Sequence, residues 1–121
     1  MANILIVDDS PTDAYLVKSI LEGEGYETTE ASSGEEGIQK AKEVKPNLII
    51  MDVVMPGAIN GFKATREITK SAETKTIPVV IVSSKSMESD IAWAKMQGAK
   101  GFLVKPVNQG ELLSVVKELL G

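Results

Sequence analysis

Four short, nearly continuous apolar runs constrain this chain more than any other feature. They are Ile4-Leu5-Ile6-Val7, Leu48-Ile49-Ile50-Met51, Pro78 to Val82 and Gly101 to Val104. Each is too short for a helix of ordinary length and is bounded by turn or polar residues, the pattern of a strand; the branching of Ile4 to Val7 favours a buried strand and Leu48 to Met51 reads as fully buried. A fifth segment, Tyr26 to Ala31, is more polar and is expected nearer a sheet edge.

Stretches with helical spacing separate the runs. Ser10 is placed as an N-cap, with Pro11 at the first helical position and Asp13 at the third. Ala14, Val17 and Leu21 recur on one face, widened by Leu16 and Ile20, and Gly23 and Gly25 end the helix. Ser33-Gly34-Glu35-Glu36 fits a capping box for a helix running to about Val44, which Pro46 stops. A loop from Val53 to Gly61 carries Pro56 and Gly57. Further helices are expected over Phe62 to Ala72, over Met87 to Gln97 with Gly98 as the stop, and from the cap Asn108 through Leu120, with Glu111 at the box position.

Alternating buried strands and helices imply an α/β fold with helices on both faces of a parallel sheet. Right-handed crossovers leave a doubly wound, five-stranded sheet of the flavodoxin type, with strand order 2-1-3-4-5, as the simple solution. The 121 residues suffice for one domain, expected over residues 1–121.

Composition removes several chemistries. The chain has no cysteine and no histidine, which excludes disulfides, thiolate or imidazole metal sites and a phosphohistidine on this chain. Any metal is then a hard cation on oxygen ligands. A net charge of −4 with 4% aromatics does not suggest nucleic-acid binding. No apolar run approaches a bilayer span, and the start lacks the basic region and cleavage site of a signal peptide. A cytoplasmic protein with no membrane insertion is expected. Met1 and the lack of tag residues favour a natural single domain over the excised input domain of a larger regulator, in which case the output is protein contact.

In a doubly wound sheet the ligand site lies beyond the carboxyl ends of the strands. Asp8 and Asp9 follow strand one, Asp52 follows strand three, Ser83 follows strand four and Lys105 follows strand five. The order 2-1-3-4-5 makes these four strands neighbours. Three carboxylates, a hydroxyl and an ammonium then converge on one rim. Crowded carboxylates repel one another, and a divalent cation relieves that repulsion. Oxygen ligands in this number suit Mg²⁺, which leaves room for a phosphate oxygen. A carboxylate is also a competent nucleophile toward phosphorus. Asp52, at the end of a central strand, is the natural nucleophile; Asp8 and Asp9 fit as metal holders, Lys105 as a counter-charge and Ser83 as a hydrogen-bond donor. Each residue alone has an ordinary alternative: acids before a helix cap it, an Asp or Ser after a strand makes a turn, and a Lys before Pro is solvated. Those roles would scatter the residues over both ends of the sheet.

The stretches Ile4 to Ser10, Leu48-Ile49-Ile50-Met51-Asp52-Val53-Val54-Met55-Pro56, Pro78 to Ser84 and Gly98 to Pro106 together resemble the receiver domain of bacterial two-component response regulators, and the resemblance covers essentially the whole chain. It implies that Asp52 is the phospho-acceptor. Asp9 resembles the direct Mg²⁺ ligand, Asp8 acts mainly through water, and Val54 matches the position that offers its backbone carbonyl to the metal. Ser83 matches the switch hydroxyl and Lys105 the phosphate-binding lysine, followed by a bond to Pro106 that is usually cis in the family. Phe102 matches the aromatic switch position, with ordinary strand packing as the equal alternative.

The resemblance further implies a phosphohistidine donor on a histidine kinase or histidine phosphotransfer protein. Phosphorylation would change binding of a downstream protein at the face formed by the fourth helix, fifth strand and fifth helix. The chain would not be an enzyme beyond self-catalysed phosphorylation and dephosphorylation. Within the family, Val53 to Gly57 and Asn60 to Glu67 look like small regulators of twitching motility, the type IV pilus branch of chemotaxis-like systems; single-domain chemotaxis regulators and phosphorelay intermediates are alternatives. Val54 and Lys85 occupy positions that tune phosphate lifetime, and the loop from Asp52 to Gly61 is one residue longer than the commonest form.

Two other classes compete. A ligand-binding domain of the flavodoxin type calls for phosphate-cradling Gly, Ser and Thr after strand one and aromatics around a flavin, where this chain has two acids and only 4% aromatics. A phosphate-independent binding module on a receiver fold predicts a missing acid or lysine, whereas Asp8, Asp9, Asp52, Ser83 and Lys105 are all present.

Overall fold

A computed structural model describes residues 2–85 and 87–121. The strands are β1 (Asn3–Val7), β2 (Glu27–Ala31), β3 (Leu48–Asp52), β4 (Val79–Ser83) and β5 (Gly101–Val104). The helices are α1 (Pro11–Gly23), α2 (Gly34–Val44), α3 (Gly61–Lys70), α4 (Glu88–Met96) and α5 (Gln109–Leu120). All strand pairs are parallel, in the order β2-β1-β3-β4-β5. The expected doubly wound sheet is the observed one, with the polar β2 at an edge.

Successive side chains on a strand point to opposite faces, so each buried strand feeds two cores. Leu5, Val7, Ile49, Met51, Val79 and Ile81 face one layer, closed by Ala41 of α2, Ala64 and Ile68 of α3 and Ala94 of α4. Ile4, Ile6, Leu48, Ile50, Val80 and Val82 face the other, closed by Ala14, Val17 and Leu21 of α1 and Leu112 and Val116 of α5. Burial of each large side chain contributes about 1.5–3 kcal/mol, which fixes the register that the site depends on.

Several local expectations are corrected. Leu16 does not widen the buried stripe of α1; it is 41% exposed. At 100° per residue it points well off the axis of Ala14, Val17 and Leu21, whereas Ile20 lies close enough to pack. α3 begins at Gly61, with Asn60 Oδ1 accepting from Lys63 N–H at 2.9 Å, and ends at Lys70 rather than Ala72. Its early end follows from Ser71 turning extended and from the buried Thr74 hydroxyl, which donates to the Ile68 carbonyl at 2.7 Å. The α2 capping box is displaced by one residue. Ser33 Oγ accepts from Glu36 N–H, but Glu36 Oε1 accepts from Ser32 N–H at 2.7 Å, not from Ser33. α2 itself closes on Lys45 in the left-handed conformation, before Pro46. The remaining ends (Tyr26, Pro78, Met87, Gln97) fall one residue outside the strands and helices assigned to them, as fraying ends do. No helix among the described residues is long and apolar enough to cross a membrane.

Candidate functional site

Register brings the strand ends together. Val7 pairs with Met51 and Asp52 with Val82, so Asp8 leaves β1 beside Asp52, and Ser83 extends one residue beyond that level. The Lys105 N–H donates to the Ser83 carbonyl at 2.8 Å, which continues the β4–β5 pairing past Val104. Asp8 is held from both sides: its N–H donates to the Ala31 carbonyl at 3.0 Å, and its Oδ1 accepts from Ser10 N–H at 2.9 Å. Ser10 Oγ in turn caps α1 through Asp13 N–H.

Asp8, Asp9 and Asp52 each offer a carboxylate oxygen within 4.8 Å of the others. Asp52 is buried, Asp8 is half-buried and Asp9 is exposed. Lys105 Nζ lies 2.9 Å from Asp52 Oδ1, 3.2 Å from Asp8 Oδ2 and 2.8 Å from Asp13 Oδ2. The ammonium therefore lies among three carboxylates, donating to Asp8 and Asp13 and ion-paired with Asp52. Burial raises the Asp52 carboxyl above its ordinary value; the Lys105 hydrogen bond opposes that rise and the Asp8 charge adds to it. Lys105 is also shifted upward: burial pulls its pKa down, but hydrogen bonds to Asp13 and Asp52 and the charges of Asp52 and Asp8 outweigh it.

Ser83 is buried and lines a cleft of about 300 Å³ together with Asp9, Asp13, Asp52, Val54 and Lys105. Its Oγ accepts from Lys85 N–H at 3.1 Å, which leaves the hydroxyl proton free to point elsewhere. Val54 is highly exposed at the mouth of the cleft. Phe102 sits in β5 opposite Ile81, half-buried against the core layer of α2, α3 and α4, and does not line the cleft. The Lys105–Pro106 peptide is cis, as the resemblance implies.

The rim depends on two residues to which the sequence assigns only local roles. Gly61 opens α3 by donating its N–H to the Val53 carbonyl at 2.8 Å, and a Cβ there would collide with the Asp52 backbone carbonyl. Only glycine lets α3 start so close to β3. The loop before it folds back on the start of α2, with Gly57 at φ +94° against the Glu35 carboxylate and the Ile59 carbonyl over Gly34. Asp13 was expected only in the first turn of α1, yet its side chain closes on Lys105 across 92 residues of sequence. An acid at that helical position was the sole sequence signal, and the N-terminal preference of acids explains it equally well.

Chemically, the rim gathers four carboxylates (Asp8, Asp9, Asp13 and Asp52) around one ammonium that contacts three of them, so it is short of positive charge. The Asp8, Asp9 and Asp52 oxygens are hard donors with few alternatives, which fits a small divalent cation. Asp52 presents a carboxylate oxygen beside the Lys105 ammonium, in a cleft that Ser83 also lines.

Comparison with known proteins agrees with this geometry. The Response regulator receiver domain family matches residues 4–117. The chain is 48% identical over 120 residues to Protein PilH of Pseudomonas aeruginosa, covering 99% of this chain and 98% of that protein. It superposes on the Vibrio cholerae chemotaxis protein CheY4 with a TM-score of 0.92 and 32% identity, covering 99% of both chains. It also superposes on the receiver domain of the sensor histidine kinase PA1611 from Pseudomonas aeruginosa, with a TM-score of 0.90 and 25% identity over 99% of this chain and 98% of that one; that structure has a magnesium ion coordinated in its active site cleft.

Proposed function

The chain belongs to the response-regulator receiver family, and from that premise we propose that Asp52 is the residue that accepts a phosphoryl group from a phosphohistidine on a partner protein. The observation that carries this reading is the approach of Lys105 Nζ to Asp52 Oδ1 at 2.9 Å, beside two further acids and a buried hydroxyl. A carboxylate that is buried, paired with a cation and open to a cleft is prepared to attack, not to cap a helix.

In the step proposed, an Asp52 carboxylate oxygen bonds to phosphorus as the bond from phosphorus to the donor's imidazole nitrogen breaks. The imidazole leaves with the electron pair of that bond. Lys105 faces the added negative charge, and the Ser83 hydroxyl donates to a phosphoryl oxygen. Asp8, Asp9, Asp52 and the Val54 carbonyl would hold Mg²⁺, which supplies neutralising charge to carboxylate and phosphoryl oxygens. Asp52 phosphate then biases the chain between two states. Ser83 and Phe102 are the residues assigned to carry that change to the face of α4, β5 and α5, where a downstream protein binds. Phe102 is suited to this by its place: it is half-buried on the core layer that includes Ala94 of α4.

A histidine kinase or histidine phosphotransfer protein is the donor class, and the whole of residues 1–121 serves as one receiver domain. The reading places the chain in the cytoplasm. The 48% sequence identity to PilH supports signalling of the pilus or chemotaxis-like kind. The assignment of Asp52 is tested by reducing the phosphorylated protein with borohydride and mapping its peptides. Conversion of Asp52 to homoserine is expected; conversion at Asp8, Asp9 or Asp13 would overturn it.

A further inference from the structure

We propose that Asp13 is a positioning residue that restrains phosphoryl uptake by competing with the phosphoryl group for Lys105. The inference rests on the reading of Asp52 as acceptor and adds a residue to which that reading gives no role.

Lys105 donates hydrogen bonds to Asp8 and Asp13 and is ion-paired with Asp52. Asp8 and Asp52 belong to the cluster suited to a cation; Asp13 does not. When a cation and a phosphoryl group satisfy the first two, Asp13 keeps its claim on the ammonium. Its contact is the shortest of the three, 2.8 Å, and comes from the first turn of α1, a rigid element capped by Ser10. The Asp13 and Asp52 oxygens share one ammonium and so lie within about 6 Å of each other, close enough for strong charge coupling. A phosphoryl group on Asp52 replaces the single charge of the carboxylate with a phosphate carrying up to two, so up to one further negative charge enters that space. Asp13 therefore acts twice against it: it repels the incoming charge and occupies one donor of the lysine that would receive it. Asp13 also lines the cleft and is the more exposed partner of Lys105, so its influence is open to screening by salt.

Two measurements test this. The first reads the contact in metal-free protein: the side-chain ammonium signal of Lys105 in ¹H–¹⁵N NMR. Three carboxylates should slow its exchange with water, so a signal is expected in the wild type and in Asp13→Glu and loss of it in Asp13→Asn. The second reads the consequence: the initial rate of labelling by acetyl phosphate with Mg²⁺. Asp13→Asn should label roughly three- to tenfold faster at low salt, with the gain shrinking at high salt, and Asp13→Glu should stay near the wild type. A Lys105 signal unchanged in Asp13→Asn, or a rate unchanged or lowered in it, would overturn the inference while leaving Asp52 as acceptor. A wild type that takes up no phosphoryl group overturns the reading of Asp52 and the inference with it.

Discussion

Lys105 Nζ reaches Asp52 Oδ1 at 2.9 Å from the far side of two strand boundaries, so an ammonium just past β5 stands against a carboxylate from β3. Replacing it leaves Asp8, Asp13 and Asp52 without the one ammonium they share. Lys105→Met should therefore destabilise the fold by about 1–3 kcal/mol, the cost of leaving partly buried charges unpaired. It should also slow phosphoryl uptake at least tenfold, as loss of a preorganised charge partner does. Urea unfolding and labelling by acetyl phosphate check the two effects separately.

Ionised Asp52 opposes folding in the metal-free protein. Its folded-state pKa is raised above 3.8, chiefly by burial, so the folded chain holds this proton more tightly than the unfolded chain does. The associated stability is fully present below the unfolded value and is lost as pH rises through the folded one. Asp52→Asn should therefore be more stable than the wild type at pH 7, and the advantage should vanish near pH 3.5. Thermal unfolding of both proteins at the two pH values, without Mg²⁺, reads this directly; equal stability at pH 7 contradicts it.

Gly61 permits the close approach of α3 to β3. A methyl group there meets the Asp52 carbonyl, and backbone has little room to yield. Gly61→Ala should cost roughly 2–4 kcal/mol, in the range of strained or overpacked core changes, and should lower phosphoryl uptake by displacing Asp52. An alanine variant as stable as the wild type would show that the start of α3 can shift freely.

Val54 stands exposed at the mouth of the cleft with no polar side-chain atom to direct a water. Val54→Asn should hasten loss of the phosphoryl group by roughly tenfold or less, within the ordinary range of a single polar group assisting water attack. The check is the decay of labelled protein after removal of the donor. An unchanged decay removes Val54 from the account.

The parts of this site legible in the sequence were those set by strand endings. Asp8, Asp52, Ser83 and Lys105 each close an apolar run, and parallel order alone carries them to one rim. What the sequence could not show were contacts made by helices reaching over that rim. Asp13 looks like any acid in a first turn until the fold sets α1 beside the end of β5 and its side chain meets Lys105. Gly61 looks like loop punctuation until α3 is seen to begin on it. Leu16 fits an apolar stripe on composition but not on angle, because a one-residue step turns a helical side chain by 100°. Glu36 reached Ser32 in place of Ser33, a choice between neighbouring N–H groups that periodicity does not resolve.

The central claim is that Asp52 takes up a phosphoryl group with the help of Mg²⁺. Intact mass after incubation with acetyl phosphate tests it most directly, with and without Mg²⁺ and alongside Asp52→Asn. One added phosphoryl group is expected in the wild type with Mg²⁺, and none without the metal or in the variant. No gain under conditions that label another receiver domain, or an equal gain in Asp52→Asn, would contradict the claim.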